Sequence, residues 1–442
     1  MSRRVTPMSG YPEYLPAGRI VEQRVLDILR ETFELHGFAS IQTRAVEPLE
    51  QLTRKGEITK EVYVVRRLHA AEGDRDELGL HYDLTVPFAR YVLENAGHLS
   101  FPFRRYQIQP AWRGERPQEG RYREFWQADV DIVGDGALAT HHDIEVVGVM
   151  LAALARLHDE LGLPEAIVHA NNRKLVQGVY TALGVPDPIA AIQVVDKLGK
   201  IGSTATAELL GGLGLTDDQV GKILTMTTRW DPADITDDHL RELGLDNEES
   251  AQGLAELRAL VGAIGARFPG RIEMDFTVAR GLDYYTGSVF EVGLPDYPSL
   301  GTIAAGGRYD TLASEGARTY PGVGISFGIT RVLAPLLARG ELTASRPVPS
   351  AVLVAVDAEE TRAQAEAVAA ALRAHGVACE VSPNAAFFGK QIRFADRRGI
   401  PFVWFGGTSG AVKDIRTGEQ VDAEATSWEP PAADARPRVV RA

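Results

Sequence analysis

The stretch of sequence with the most evident chemistry is rich in arginine: residues 101–125 read FPFRRYQIQPAWRGERPQEGRYREF. Its arginines outnumber its glutamates, and the set is Arg104, Arg105, Arg113, Arg116, Arg121 and Arg123 against Glu115, Glu119 and Glu124. The planar guanidinium group can bind phosphate or carboxylate through two parallel hydrogen bonds. The composition is typical of an anion-binding surface, and equally of a solvent-exposed hairpin of mixed charge.

The next segment, WQADVDIVG (126–134), alternates apolar and polar residues with the period of a β-strand. Its polar face would carry Gln127, Asp129 and Asp131. Pro and Gly in RPQEG (116–120) predict a turn, so the two segments should form an antiparallel hairpin. That hairpin would present guanidinium and carboxylate groups together and could hold an anionic ligand beside a cationic or hydrogen-bonding one.

Two further segments carry polar groups in unusual places. RGLDYYTGSVFEV (280–292) puts Arg280, Tyr284 and Tyr285 inside a strand-like passage, although two adjacent tyrosines are ordinarily core aromatics with satisfied hydroxyls. YPGVGISFGITRVLAPLLARG (320–340) is a glycine-rich transition from a strand to a helix, with an arginine, residue 331, in the first turn of the helix. Pro335 predicts a kink or an early end of that helix.

Composition narrows the class of protein. The 442 residues carry a formal net charge of −13, which argues against broad, non-specific attraction to nucleic acid. The one cysteine, Cys379, excludes an internal disulfide and a cysteine metal cluster. The N-terminus lacks the apolar segment of a secretory signal, and the longest apolar run, 146–155, is too short to span a bilayer. We expect a cytoplasmic protein without a membrane anchor.

The hydrophobic pattern predicts a large region in which strands dominate. An amphipathic helix is predicted over 19–36, and a helical subdomain is predicted as an insertion over 172–266. The strand-like stretches, in a mainly antiparallel-looking order, are 39–47, 61–68, 78–84, 101–112, 123–134, 272–279, 287–293 and 302–306.

A smaller C-terminal region has a different pattern. After a Pro-rich linker within 341–350, the predicted order is β-α-β-α-β, which implies a small parallel sheet. The predicted elements are 351–357, 359–375, 377–382, 388–397 and 401–406. The tail, 429–442, is predicted to be irregular.

Several of these segments together resemble the histidyl-tRNA synthetases, which are class II aminoacyl-tRNA synthetases. The motifs that carry the resemblance are YDLTVPFARY (82–91), WRGERPQEGRYREFWQADVDI (112–132), RGLDYYTG (280–287), AAGGRYD (304–310), GVGISFGITR (322–331) and AFFGKQIRFADRRGIPFVWFG (386–406). The resemblance implies an α+β fold: an antiparallel-sheet catalytic domain over 1–340 with the helical insertion, and a C-terminal α/β anticodon-binding domain over 351–428.

The resemblance also implies an activity. A member of this family joins L-histidine to ATP, releases pyrophosphate, and transfers histidine from the adenylate to the 3′ end of tRNA(His). Mg²⁺ would bridge phosphate oxygens, although the residues that bind it stay open. The family forms homodimers; where its first class II motif usually has proline at the dimer interface, this chain has Arg44, and Pro48 comes later.

Residue roles follow from matching the motifs position by position. Arg113 and Arg280 would be catalytic, supplying positive charge at the α-phosphate. Arg121 would reach the γ-phosphate, and the turn residue Gln118 would meet the tRNA acceptor end. The implied ATP site is Arg113, Glu115, Arg121, Phe125, Arg280 and Arg331, with Phe125 and Arg331 on opposite faces of the adenine.

The resemblance gives the histidine site in the same way. Its implied residues are Asp83, Thr85, Arg113, Gln127, Asp131, Tyr284 and Tyr285. Asp83 and Thr85 would bind the α-amino group with Gln127 beside them, whereas Asp131 and Tyr285 would read the imidazole nitrogens. Gly306 and Gly307 would let the backbone approach the ligand closely. Which of the two tyrosines contacts the imidazole stays open.

Two alternatives belong to other classes. One is a catalytically inactive, synthetase-like paralogue that senses histidine as a regulatory subunit of histidine biosynthesis. Such paralogues typically lack an intact RGLDYYTG-type signature and the anticodon domain, and this chain has both. The other is a prolyl or threonyl synthetase with the same C-terminal fold, which the same signature disfavours.

Overall fold

The computed structural model describes residues 6–53, 59–69, 77–228, 235–278 and 285–441. The chain divides into two compact units: one comprises residues 1–12 and 28–335, the other 13–27 and 336–442. None of the described helices is long and apolar enough to cross a lipid bilayer.

Helices and strands are both present in the described part of the chain. The α-helices are α1 (Pro16–Leu35), α2 (Leu49–Thr53), α3 (Thr85–Asn95), α4 (His141–Leu161), α5 (Arg173–Ala182), α6 (Pro188–Val195), α7 (Leu198–Gly212), α8 (Asp217–Thr228), α9 (Asp237–Glu242), α10 (Glu248–Arg267), α11 (Ile329–Ala338), α12 (Arg362–Ala374), α13 (Phe388–Arg397) and α14 (Ala432–Ala435). Short 3₁₀ helices lie at Thr59–Glu61, Ala96–His98, Pro298–Leu300 and Glu359–Thr361.

The strands form the sheets of both units. In chain order they are β1 (Ala39–Ser40), β2 (Val46–Pro48), β3 (Val64–Val65), β4 (Leu78–Leu80), β5 (Phe103–Trp112), β6 (Glu124–Val133), β7 (Ile167–Asn172), β8 (Ile272–Met274), β9 (Ser288–Gly293), β10 (Ala304–Glu315), β11 (Arg318–Gly328), β12 (Leu342–Ala344), β13 (Val352–Val354), β14 (Cys379–Val381), β15 (Phe402–Gly406), β16 (Ser409–Asp414), β17 (Gln420–Glu424) and β18 (Val439–Arg441).

Helix α1 confirms the amphipathic pattern predicted over 19–36. Pro16 occupies its first position, where its missing N–H leaves no hydrogen bond unmade. Leu29 and Phe33 are buried on the apolar face. The helix stops at Gly37, whose φ of +79° ends it in the left-handed conformation that glycine adopts without a steric cost.

The large sheet of the first unit has the strand order β1-β5-β6-β11-β10-β9-β7-β8. Its pairs are antiparallel except for β1 with β5 and β7 with β8, which are parallel. The predicted hairpin is confirmed as β5 and β6, with Gly120 at φ +73° in the connecting turn. Strand β7 and the full length of β11 were not predicted, because glycines 322, 324 and 328 made β11 look like a turn entering a helix.

Helices α5 to α10 occupy the region where the sequence pattern predicted 172–266 to be helical. Helix α10 begins with a capping box, in which Asn247 and Ser250 satisfy each other's backbone N–H groups. It packs closely on α5: a Cβ added at Gly253 would lie 2.2 Å from the Leu175 nitrogen. Glycine is required there because the two backbones nearly touch.

The second unit contains a sheet in the order β14-β13-β15-β16-β17. Strand β13 runs parallel to both β14 and β15, which confirms the β-α-β-α-β pattern. Strands β16 and β17 extend the sheet in antiparallel fashion and were not predicted. Trp404, fully buried in this unit's core, donates its indole N–H to the Gly407 carbonyl at 2.9 Å.

The predictions of a linker over 341–350 and an irregular tail over 429–442 are wrong in part. β12 and β18 pair in antiparallel fashion, with Thr343 opposite Val440. The tail also contains helix α14. Neither short strand shows a pattern of its own, because each exists through backbone hydrogen bonds to a segment almost a hundred residues away.

Because β10 and β11 lie close together at Gly306, adding one methyl group at this position should destabilise the protein. In a Gly306→Ala variant the new Cβ would lie 2.1 Å from the Gly324 carbonyl oxygen and 2.6 Å from the Ile325 Cα, both in the neighbouring backbone. We expect the free energy of unfolding to fall by about 1–3 kcal/mol, the usual cost of overpacking. Urea unfolding followed by circular dichroism measures it.

Gly262→Ala is the matched control. Gly262 lies in α10, and a Cβ there would meet nothing within 4 Å. Alanine in a helix interior should raise stability by roughly 0.5–1 kcal/mol. Equal stability of the Gly306→Ala variant and the wild type would contradict the packing argument.

Candidate active site

A cavity of ≈ 420 Å³ lies over the polar face of the large sheet, at the strands β6, β11, β10 and β9. It brings together most of the residues that the sequence motifs singled out. Those that line it are Asp83, Thr85, Arg113, Glu115, Arg121, Phe125, Gln127, Asp131, Tyr285, Gly306 and Arg331.

Strand register explains why the carboxylates meet at one end of the cavity. Asp129 and Asp131 lie two residues apart on β6 and therefore share a face, as predicted. On the neighbouring strand β11, Gly324 lies opposite Asp131 and Ser326 lies opposite Asp129. A Cβ at Gly324 would lie 2.0 Å from the Asp131 carboxylate, so only glycine leaves room for that side chain.

Arg105 supplies the counter-charge beneath these carboxylates. It lies opposite Asp131 across the β5–β6 hairpin and is fully buried. Its Nη2 lies 2.7 Å from the nearer Asp131 oxygen and 3.9 Å from Asp129 Oδ2. The guanidinium carbon also lies 4.2 Å from the centroid of the Phe88 ring, on α3. The sequence showed Arg105 only as one arginine among several.

Tyr309 is a site residue that the sequence analysis did not assign, although it quoted its motif, AAGGRYD. The buried Tyr309 hydroxyl donates a hydrogen bond of 2.7 Å to Asp131 Oδ1. Burial, together with the negative charge of Asp131, raises the pKa of Tyr309 well above its ordinary value. The phenol therefore stays protonated and remains a donor. Its ring packs against β11 at Gly322, where the Cβ of any larger residue would clash with the ring.

Asp129 was also placed on the polar face without a role. Burial, with the nearby Asp131 and Asp83 charges, raises the pKa of Asp129 to about 7, although Arg105 and the Ser326 hydroxyl oppose the shift. This carboxyl group therefore changes its charge near neutral pH, at the wall of the cavity.

Arginines and aromatic groups line the other end of the cavity. Arg113 follows β5, donates from Nε to the Tyr82 carbonyl at 3.0 Å, and has its guanidinium carbon 5.2 Å from the centroid of the Phe125 ring. Arg121 lies 3.4 Å from a Glu115 carboxylate oxygen. The guanidinium groups would attract a polyanion to this end of the cavity, because their fixed positive charge faces a partly enclosed space.

Arg331 projects from the first turn of α11, as predicted. It donates from Nε to the Gly120 carbonyl at 3.0 Å and from Nη1 to the Thr302 carbonyl. The two carbonyls fix the direction of the guanidinium plane. The β5–β6 turn therefore positions, through the Gly120 carbonyl, a side chain that is more than two hundred residues away in sequence.

Asp83 and Thr85 enter the cavity from the start of α3. The Asp83 carboxylate accepts a hydrogen bond of 3.0 Å from the Val86 N–H in the first turn of that helix. Tyr285 enters from the opposite side, where Gly307 gives it room: a Cβ at Gly307 would lie 2.8 Å from the Tyr285 ring. The glycine also lies close to the Ser288 carbonyl oxygen, and its approach to the ligand stays a prediction.

Some predicted residues lie elsewhere. Arg280 and Tyr284 fall outside the described residues. Gln118 lies in the exposed β5–β6 turn, where its carbonyl accepts from the Arg121 N–H at 2.9 Å, and it does not line the cavity. Arg44 is half-exposed and forms an ion pair of 3.1 Å with the buried Glu47.

Further cavity residues escaped the sequence analysis because their motifs were not matched to a role. They are Glu61, Tyr122, Asp129, Glu291, Thr302, Tyr309 and Ser326. The alternation of β6 had already placed Asp129 on this face, and the alternation of β11 could have placed Ser326 there. Among the described residues, no group of three or more histidine, cysteine or acidic side chains is arranged to hold a metal ion.

Comparison with known proteins gives the same family for the whole chain. A model of the histidyl-tRNA synthetase family matches residues 10–332, and a model of the anticodon binding domain matches 350–426. The chain is 59% identical over 449 residues, covering 99% of each sequence, to the histidine–tRNA ligase of Cutibacterium acnes.

Two solved structures resemble the fold. Histidyl-tRNA synthetase from a Nostoc species superposes with a TM-score of 0.83 at 31% identity, covering 96% of this chain and 98% of that one. A Bacillus halodurans protein described as an ATP phosphoribosyltransferase regulatory subunit/histidyl-tRNA synthetase has a TM-score of 0.71 at 22% identity, covering 89% and 97%, and shares the fold. By its family match, its identity over nearly its full length and the residues gathered in its cavity, the chain belongs to the histidyl-tRNA synthetase family.

Proposed function

We propose that this chain is an ATP-dependent histidine–tRNA ligase. It activates L-histidine as histidyl-adenylate with release of pyrophosphate, and then transfers histidine to the 3′ end of tRNA(His). The observation that carries the proposal is the polarity of the cavity, which has arginines at one end and buried carboxylates at the other. A triphosphate suits the first end and a cationic amino acid suits the second.

The first step brings two anions together, since the histidine carboxylate attacks the α-phosphate. Fixed positive charge at the reacting atoms is therefore the main requirement. We assign Arg113 to the α-phosphate and the histidine carboxylate by resemblance of its motif, and its place in the cavity lining is consistent with that role. Arg280 joins it there by resemblance of the RGLDYYTG motif. Arg121 binds the γ-phosphate.

The adenine ring lies between Phe125 and Arg331 in this assignment, with Glu115 near the base. Phe125 already faces the guanidinium group of Arg113. Arg331 is held in place by the Gly120 and Thr302 carbonyls, so it does not need to be ordered by the nucleotide. Pre-ordered contacts of this kind reduce the entropy lost on binding.

Histidine selection depends on the carboxylate end. Asp131 and Tyr285 read the imidazole nitrogens, with the Tyr309 hydroxyl on Asp131. Tyr284 is assigned to the same part of the site by resemblance alone. Asp83, Thr85 and Gln127 bind the α-amino group. A site built to hydrogen-bond a buried N–H group rejects analogues that lack it by about 10⁴–10⁵-fold, because its own polar groups are then left unpaired.

Mg²⁺ fits this site as a companion of the nucleotide. The metal commonly binds through one or two carboxylates together with substrate phosphates and water, and Glu115 and Glu291 line the cavity. Mg²⁺ supplies charge neutralisation at the phosphates when it is bound. The arginines of the cavity do the same from the protein side.

The similarity of the whole chain to histidine–tRNA ligases favours the enzyme over the histidine-sensing regulatory subunit. The C-terminal unit, matched by the anticodon binding domain model, supports a tRNA partner. We further propose that Gln118, exposed on the β5–β6 turn, meets the acceptor end of tRNA(His), and that the helices over 172–266 form an insertion in the catalytic domain of residues 1–340.

Amino-acid-dependent exchange of pyrophosphate into ATP tests the activity directly. We expect exchange with histidine and background rates with the other amino acids, because the buried polar groups of the site would be left unpaired by them. Filter-binding of labelled ATP measures the rate. No exchange with histidine, in a preparation that still binds histidine, would instead favour the sensor.

Arg113→Ala should lower kcat/KM for exchange by about 10²–10³-fold, the range expected on removing one donor aimed at developing charge. Arg116→Ala is the matched control, since Arg116 is an exposed arginine of the same turn and does not line the cavity. Steady-state exchange kinetics without tRNA measure both variants. Equal losses in the two would contradict the role of Arg113.

We propose a homodimer by resemblance to the family, with the segment around Arg44 at the interface. Sedimentation velocity should give twice the mass of the 48.0 kDa chain. Arg44→Glu should weaken the dimer, because it places a repelling carboxylate beside Glu47, whereas the exposed Arg318→Glu change should not. A wild-type monomer at micromolar concentration would refute the assignment.

A further inference from the structure

The cavity contains a hydrogen-bond chain in which two members, Ser326 and Asp129, have no assigned role. Ser326 on β11 donates its hydroxyl proton to Asp129 Oδ1 on β6, and the Gln127 Nε2 donates to Ser326 Oγ at 2.9 Å. Asp129 lies directly opposite Ser326 in the strand register, and Gln127 is its neighbour on the same face. Asp129 is almost fully buried and Gln127 nearly so.

The chain has a direction, and the direction follows from counting protons. A serine hydroxyl has one proton to donate. Because an ionised Asp129 accepts that proton, Ser326 can only accept from its other neighbour. The Gln127 amide must then turn its NH₂ group toward Ser326, which points its carbonyl oxygen the other way.

The amide oxygen of Gln127, Oε1, is then left as a hydrogen-bond acceptor in the wall of the cavity. Gln127 Oε1 is buried and has no hydrogen-bond partner among the described residues, while Gln127 itself lines the cavity. A buried acceptor without a partner is energetically unfavourable unless a ligand satisfies it. A protonated amine is the donor that fits best, because charge-assisted hydrogen bonds are the strongest.

We infer that Asp129 and Ser326 are positioning residues for histidine recognition: they fix the Gln127 amide so that its carbonyl oxygen accepts from the α-ammonium group of the substrate. The inference rests on the proposed function and concerns one part of the same site. Neither Asp129 nor Ser326 needs to touch the substrate for this role. Their action is transmitted through a single amide.

The charges around Asp129 act in opposite directions on its ionised, accepting form. Arg105 is the cation that faces it, whereas Asp131 and Asp83 repel its negative form. Were Asp129 protonated, it could donate to Ser326, whose own proton would then be free to reach Gln127 and favour the flipped amide. The Arg105 charge therefore supports the orientation of the Gln127 amide, although no hydrogen bond described joins the two residues.

The test compares ligands that keep the α-amino group with one that lacks it. Ser326→Ala and Asp129→Ala should each raise KM for histidine roughly threefold to tenfold, the range of one hydrogen bond. Histidinol, which retains the amino group, should lose inhibition by the same factor. Imidazolepropanoate, which is histidine without its amino group, should inhibit wild type and variants alike, and KM for ATP should not change.

Ser314→Ala is the control. Ser314 lies in the same β10–β11 hairpin, and its Oγ makes no hydrogen bond within the described part of the chain. Equal weakening of histidine and imidazolepropanoate by Ser326→Ala would overturn the inference, as would no change in either. Failure of the proposed function looks different, since the wild-type chain would then show no histidine-dependent exchange at all.

Discussion

The site depends on one buried ion pair, between Arg105 and Asp131. Removing a carboxylate from water is expensive, and two carboxylates on adjacent positions of one strand face would repel each other strongly without a counter-ion. Arg105 lies 2.7 Å from Asp131 and 3.9 Å from Asp129, with its guanidinium group packed on Phe88. This single cation permits a polar floor in the middle of a sheet whose opposite face forms the hydrophobic core.

A second constraint is the presence of glycines, which have no side chain, at key positions of β10 and β11. Gly324 leaves space for the Asp131 carboxylate, Gly322 for the Tyr309 ring, and Gly307 for Tyr285. Each glycine therefore admits a polar group from a neighbouring element onto the sheet surface. These three glycines therefore allow the side chains of the site to pack closely, because the space that each glycine leaves is filled by a side chain of the protein.

Together these constraints divide the cavity into two chemically different ends. Arginines held by backbone carbonyls face the end suited to the triphosphate, while buried acceptors face the end suited to the amino acid. Among the described residues, contacts within the protein hold Arg113 and Arg331 at the first end and Asp131 at the second. The same preorganisation explains how a chain of net charge −13 can bind a polyanion. The electrostatic field that attracts the polyanion comes from the arginines close to it. The low dielectric constant of the protein around the cavity strengthens that field.

The sequence by itself determined the family, the amphipathic helix α1, the β5–β6 hairpin and the parallel core of the C-terminal sheet. Those features depend on local periodicity, on turn residues or on motifs that can be read in order. The tertiary structure alone decided that Arg105 pairs with Asp131, that Tyr309 donates to it, and that Ser326 links Asp129 to Gln127. It also paired β12 with β18. These contacts join residues far apart in the chain, and strand register, which no local pattern specifies across a sheet, sets which of them meet.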